Sequence, residues 1–201
     1  MPKPYKLTIA IISSLLILTA MYYGSFLPFR KSQLYINAQI GLSRGVSSLQ
    51  EFNNLFEPAL DFYSPVGQDE IVSGYLRVLI SLLEQQSNKE IVDILTKQAE
   101  TRMAPILEKE KGFGLSQNIY NLASIYAISA IRFNDDIYYE KGVEMFKLGL
   151  KHSPNRAMFL YGLLNLYQFK NNKKGIREVG EIILKYWPGD EQVKQIIKLT
   201  K

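Results

Sequence analysis

The chain contains no cysteine, a single histidine, a single tryptophan, and no acidic residue before Glu51. Without cysteine there are no disulfides and no thiol chemistry, and such a chain suits either side of a membrane. His152 is alone and has no thiolate beside it, so zinc and haem sites lack the several ligands they need. At the end of a predicted helix it reads as a partner for the helix dipole or for solvent. No Gly-x-Ser-x-Gly elbow occurs, and no serine has a triad partner other than His152. Lys111-Gly-Phe-Gly114 is neither a Walker loop nor a dinucleotide fingerprint, and reads as a helix-ending turn. Asp135 and Asp136 are adjacent carboxylates, but a calcium loop needs more oxygen ligands at alternating positions. Asp136 is expected instead to cap the next helix. The chain is therefore expected not to be an enzyme, with no catalytic residue, no metal and no cofactor.

What is present is hydrophobic mass: 47% hydrophobic against 21% charged residues in 201, the composition of a folded chain. The net charge of +5 invites a nucleic-acid reading, but its distribution opposes one. Lys3, Lys6, Arg30 and Lys31 flank the first apolar run, and the rest of the chain balances 20 basic against 19 acidic residues. Lysine and arginine sit well beside lipid headgroups, so no nucleic-acid partner is expected. Lys170, Lys173, Lys174, Arg177, Lys185, Lys194, Lys198 and Lys201 form a modestly basic end, read as a solvated face.

Leu7 to Phe29 carries no charge and is long enough to span a hydrocarbon core of roughly 30 Å. Tyr22, Tyr23 and Phe26 lie near its far end, as in an interfacial aromatic belt. Pro28 is expected to break the helix before Arg30 and Lys31. A cleaved signal peptide is the rival reading. The long apolar run and the missing small-x-small site after it favour a retained anchor. Basic residues nearly tie across the two flanks, and the very short N-terminal tail favours export of the remainder. The expected placement is single-pass in a bacterial inner (cytoplasmic) membrane, with the soluble part on the exported side.

Beyond the anchor, apolar residues recur at steps of three and four. Leu49, Phe52, Leu55, Phe56, Ala59 and Leu60 predict one amphipathic helix; Ile71, Tyr75, Val78, Leu79, Leu82 and Leu83 predict a second. Pro65 and Gly67 separate them. Ser87 with Glu90 reads as a capping box opening a third helix through Ile91, Val92, Leu95, Ala99 and Met103. The segment Leu150-Lys-His-Ser-Pro154-Asn-Arg then returns as Leu184-Lys-Tyr-Trp-Pro188-Gly-Asp, 34 residues later. An echo at that period predicts paired helices that bury their apolar faces by stacking.

On these residues the chain resembles the tetratricopeptide repeat (TPR) family over Asn118–Asp190. Gly142 and Gly149 flank Phe146, as the family's second helix requires, while Leu122, Ala123 and Tyr126 match its large-small-aromatic first helix. Leu160, Leu163, Tyr167 and Pro188 continue the match in the next repeat. Leu164 and Ile176 depart from it by replacing small residues, and Gly180 stands where a large aromatic is usual. The stretch from Arg132 to Tyr138 is expected to lengthen the first repeat's inner turn. Glu191 to Thr200 reads as a capping helix.

The resemblance implies an all-α fold: an N-terminal transmembrane helix followed by a TPR-like α-solenoid of antiparallel helix pairs. Residues 1–31 form the tail and anchor, and 32–201 the helical domain, with its clearest repeats over 118–190 and the cap over 191–200. It also implies a protein or peptide partner held on a concave face lined by first-helix residues. Asn121, Tyr161, Asn165 and Gln168 are the groove positions, the asparagines suited to holding a peptide backbone. The competing reading is that the tyrosines pack between helices with their hydroxyls at the rim.

Phe56-Glu-Pro-Ala-Leu-Asp-Phe-Tyr-Ser-Pro65, downstream of a membrane helix, is also similar to the C-terminal tail of some bacterial O-antigen ligase-like membrane proteins. That likeness implies an accessory part of a glycan-assembly complex in the cell envelope, without the active site. The functions in view are a membrane-anchored scaffold or adaptor, an accessory subunit or tail of such a ligase-like system, and a translocon-associated chaperone.

Overall fold

The computed structural model describes residues 4–112 and 114–200. Lys3, Phe113 and Lys201, which enter the sequence reading, lie outside them. Among the described residues the fold is all helical, without a strand. The chain divides into two compact units, Met1–Val72 and Ser73–Lys201.

In the first unit, α1 (Pro4–Met21), a π-helical segment (Tyr22–Phe26) and α2 (Leu27–Ser43) follow one another without a break. Pro28 does not end the helix, contrary to expectation. A proline supplies no N–H and crowds the carbonyl of the preceding turn. That turn is widened here, with the Leu27 N–H bonded to the carbonyl of Tyr22, five residues back. A π-turn is one of the recognised ways a helix absorbs such a defect. Tyr5–Ser43 thus forms 39 residues of helix, long and apolar enough to cross a membrane, and its most apolar stretch is 0% buried.

The next helix is α3 (Leu49–Asp61). The Ser48 hydroxyl accepts from the Glu51 N–H at 3.1 Å, and the Glu51 carboxylate accepts from the N–H and hydroxyl of Ser47. These donors, the Ser47 N–H foremost, hold the Glu51 carboxyl below its usual range. Phe52, Phe56, Ala59 and Leu60 are buried at the predicted spacing. Tyr35 of α2 meets Phe56 edge-on, with ring centroids 6.3 Å apart.

Lys31 departs from its reading as a headgroup flank, for it is buried. Its ammonium donates to the Phe62 carbonyl and to the Gln68 side-chain oxygen. Gln68 Nε2 in turn donates to the Leu60 carbonyl at 3.2 Å. A buried cation needs such acceptors. All of them come from the stretch between α3 and the start of α4 (Gln68–Gln85), so the charge pins α2 to that turn.

The second unit holds the rest of α4, then α5 (Lys89–Lys109), α6 (Leu115–Phe133), α7 (Asp136–His152), α8 (Ala157–Phe169), α9 (Lys173–Tyr186) and α10 (Glu191–Lys198). Two expected caps move by one residue. Asn88, not Ser87, caps α5, its side chain accepting from the N–H groups of Glu90 and Ile91. Asp135, not Asp136, caps α7 by accepting from Ile137 and Tyr138. The stretch from Arg132 to Tyr138 is also no long turn, because only Asn134 and Asp135 separate the two helices. The extra residues lengthen α6, at 19 residues against 13 in α8. Asn134 makes the sharp reversal in the left-handed conformation at φ 49°, which asparagine tolerates well.

Successive helices run antiparallel. Gly142, Phe146 and Gly149 of α7 face Leu166, Gly162 and Phe159 of α8 in reverse order. A methyl group at Gly149 would lie 2.1 Å from the Phe159 ring, and one at Gly142 would lie 2.9 Å from Leu166. Gly149 is therefore required for the close approach, while at Gly142 only the tip of Leu166 would have to shift. Helices two apart run parallel. Ser73 and Glu84 of α4 meet Asn121 and Arg132 of α6 in the same order, each pair 48 residues apart. Likewise Tyr120 of α6 packs on Phe159 of α8 at 6.0 Å, while Gln117 meets Arg156, the residue before α8. At the end, Arg177 and Gly180 of α9 meet Thr200 and Ile197, so α10 covers the last apolar face.

Candidate binding groove

Helix α8 buries Phe159, Leu160, Leu163, Leu164, Leu166 and Tyr167. Tyr161, Asn165 and Gln168 follow each other at steps of four and three, which places them on one face of the helix. Asn165 and Gln168 are exposed. Their amides each present donor and acceptor groups to the surroundings.

Tyr161 is half-buried at the same face. Its hydroxyl donates to Asp190 Oδ2, and its ring lies 6.1 Å from that of Trp187. The bond to Asp190, followed by burial, pushes the Tyr161 hydroxyl up to about 12. The Asp190 carboxyl is held below its ordinary range by the Tyr161 hydroxyl and then by the Val193 N–H, which it caps. Tyr161 therefore ties α8 to the start of α10 while remaining partly exposed.

Asn121 lies elsewhere in the scheme. It is 2% exposed, and its amide donates to the carbonyl and hydroxyl of Ser73 at 3.2 Å. Its oxygen accepts from Gln117, whose own oxygen accepts from Arg156 at 3.1 Å. A polar relay thus runs from α4 through α6 to the start of α8, joining helices two apart. Gln117 at four residues before Asn121 is a pairing visible in the sequence; nothing there marks Arg156 or Ser73 as its ends.

A second polar assembly links α5, α6 and α7, and sequence reasoning missed it. The Tyr126 hydroxyl donates to Glu100 at 2.9 Å, and Lys141 donates to the same oxygen at 2.6 Å. The Tyr138 hydroxyl donates to Asp93 at 2.8 Å, and Lys89 bridges Asp93 and Asp135. The two tyrosine rings stack at 6.3 Å, with Lys89 over one and Lys141 over the other. Burial, then the neighbouring carboxylates, pushes both hydroxyls well above the usual tyrosine range. Burial alone would raise the Asp135 carboxyl, but the Tyr138 N–H and Lys89 together hold it low. The bonds and ion pairs that join these helices link residues 26 to 46 apart, so no local pattern announces them.

Among the described residues no cluster of three or more His, Asp or Glu is placed to hold a metal ion. In comparisons with known proteins, no family model, no curated protein and no solved structure matches the chain.

Proposed function

We propose that the chain is a membrane-anchored scaffold whose second unit is a TPR-like α-solenoid binding an extended segment of a partner protein. The observation that carries this reading is the helix order: neighbours antiparallel, alternate helices parallel and joined by the Ser73–Asn121–Gln117–Arg156 relay. Helices stacked in that way present their first members side by side, and the open stripe of α8 is then a surface for a peptide backbone. Asn165 and Gln168 supply the amides, and Tyr161 a ring at the edge.

The anchor is the apolar helix with its uncovered outside, which lipid would cover. The placement proposed is single-pass in a bacterial inner membrane, with the second unit exported. A topology reporter after the C-terminus tests the side. The scaffold itself is tested by recovering partners from membranes with wild-type chain and with Asn165→Ala/Gln168→Ala. Loss of a specific partner supports the reading; the same partners at the same yield reject the stripe as the binding surface.

A further inference from the structure

The first unit carries an open hollow of about 340 Å³, lined by Tyr22, Tyr23, Phe26, Leu27, Arg30, Phe62 and Tyr63. Four of these close the apolar run or lie in the π-turn. Phe62 and Tyr63 are brought over them from the end of α3, where Lys31 grips the Phe62 carbonyl. The rings are open to the surroundings: Tyr63 is 69% exposed and Phe26 51%.

The charges around the hollow are unequal. No acidic residue precedes Glu51. Lys31 is buried, bonded to Phe62 and Gln68 and attracted by the Asp61 carboxylate, so that cation is turned away from the hollow's opening. Arg30 bonds only the neutral Gln33 side chain and has no carboxylate partner among the described residues. The site is therefore a cluster of rings and phenols with one uncompensated guanidinium. Arginine matches phosphate with a two-pronged fork, and tyrosine suits the boundary between acyl chains and headgroups.

The geometry points to a binding site for one anionic phospholipid, its phosphate on Arg30 and the start of its acyl chains among Tyr22, Phe26, Phe62 and Tyr63. This rests on the proposed membrane anchor. The occupant follows from position: the wall straddles the end of the apolar run within that helix, where, with the proposed anchor, chains give way to headgroups. The charge then selects an anionic head.

The test uses the full chain in phosphatidylcholine vesicles containing a phosphatidylglycerol with a diazirine near its glycerol, with crosslinked peptides mapped by mass spectrometry. Labelling of Phe62 and Tyr63, outside the apolar helix, is expected. It should fall roughly tenfold in Arg30→Gln, the change expected for one lost charge-assisted hydrogen bond, and persist in Arg30→Lys. Circular dichroism of each variant shows that the helices remain. If α1 is labelled but Phe62 and Tyr63 are not, or if Arg30→Gln labels them as wild type does, the lipid site is wrong and the anchor stands. If α1 itself is unlabelled, the anchor and the lipid site both fall.

Discussion

The Lys31 ammonium donates to the Phe62 carbonyl at 2.6 Å from a position only 2% exposed. A lysine that sequence places beside lipid is thereby the fastening between a long helix and the turn after α3. Removing it leaves the Phe62 carbonyl and the Gln68 amide oxygen without their donor. Lys31→Met should cost roughly 2–3 kcal/mol, the scale of orphaning buried acceptors of a charged group. Thermal unfolding in detergent, followed with limited proteolysis between α2 and α3, checks this. Unchanged melting and an unchanged cleavage pattern would show that the fastening contributes nothing.

Gly149 lies under a fully buried ring, and Gly189 has nothing within 4 Å of its missing side chain. Gly149→Ala should therefore destabilise the second unit by about 1–3 kcal/mol through overpacking. Gly189→Ala should stay within roughly 0.5 kcal/mol. Adding Phe159→Leu to Gly149→Ala should recover part of the loss. Equal melting temperatures for the two single variants would contradict the close approach of α7 and α8.

Asn121 and Asn165 separate scaffold from surface. Asn121→Leu breaks the relay to Ser73 and Gln117 in a buried setting, and should cost about 1–3 kcal/mol. Asn165→Ala removes an exposed amide, and should change stability by no more than about 0.5 kcal/mol while weakening partner recovery. Urea denaturation of both variants reads the difference. A stable Asn121→Leu protein would return that residue to the groove.

The Tyr161–Asp190 bond sets a pH window for α10. A depressed carboxyl stabilises above its unfolded value near 3.8 and loses that stabilisation as pH falls through the lower folded value. A raised hydroxyl stabilises below its ordinary 10.0 and loses that as pH rises through about 12. Tyr161→Phe should therefore melt below wild type at neutral pH, with the gap closing in strong acid and strong alkali. A gap that does not vary with pH would mean that the ring, not the hydroxyl, holds α10.

Helix positions were legible because their causes are local. The steps of three and four in α3 and α4 and the turns at Pro154 and Pro188 reflect physical needs within a few residues, whereas the glycines around Phe146 were legible only through the repeat pattern, since they make room for Leu166 and Phe159 of the next helix. Caps were legible only to within a residue, because Ser87 and Asn88, or Asp135 and Asp136, are chemically able to do the same task. The candidate stripe was partly legible. Tyr161, Asn165 and Gln168 share a face by spacing alone, but whether an amide points outward depends on what lies across from it. Asn121 has the same chemistry as Asn165, and the proximity of Ser73 turns it inward.

By itself the sequence settles what depends on periodicity and composition: helices throughout the described residues, an apolar run long enough to cross a membrane, and small residues where helices must close up. Tertiary structure alone decides the fate of Lys31 and Asn121. Each carries a polar group that cannot be left unmet away from water, and its remedy comes from a carbonyl or side chain that only folding brings into reach. Such partners lie tens of residues away for Lys31 and Asn121, beyond the span over which a sequence pattern carries information about geometry.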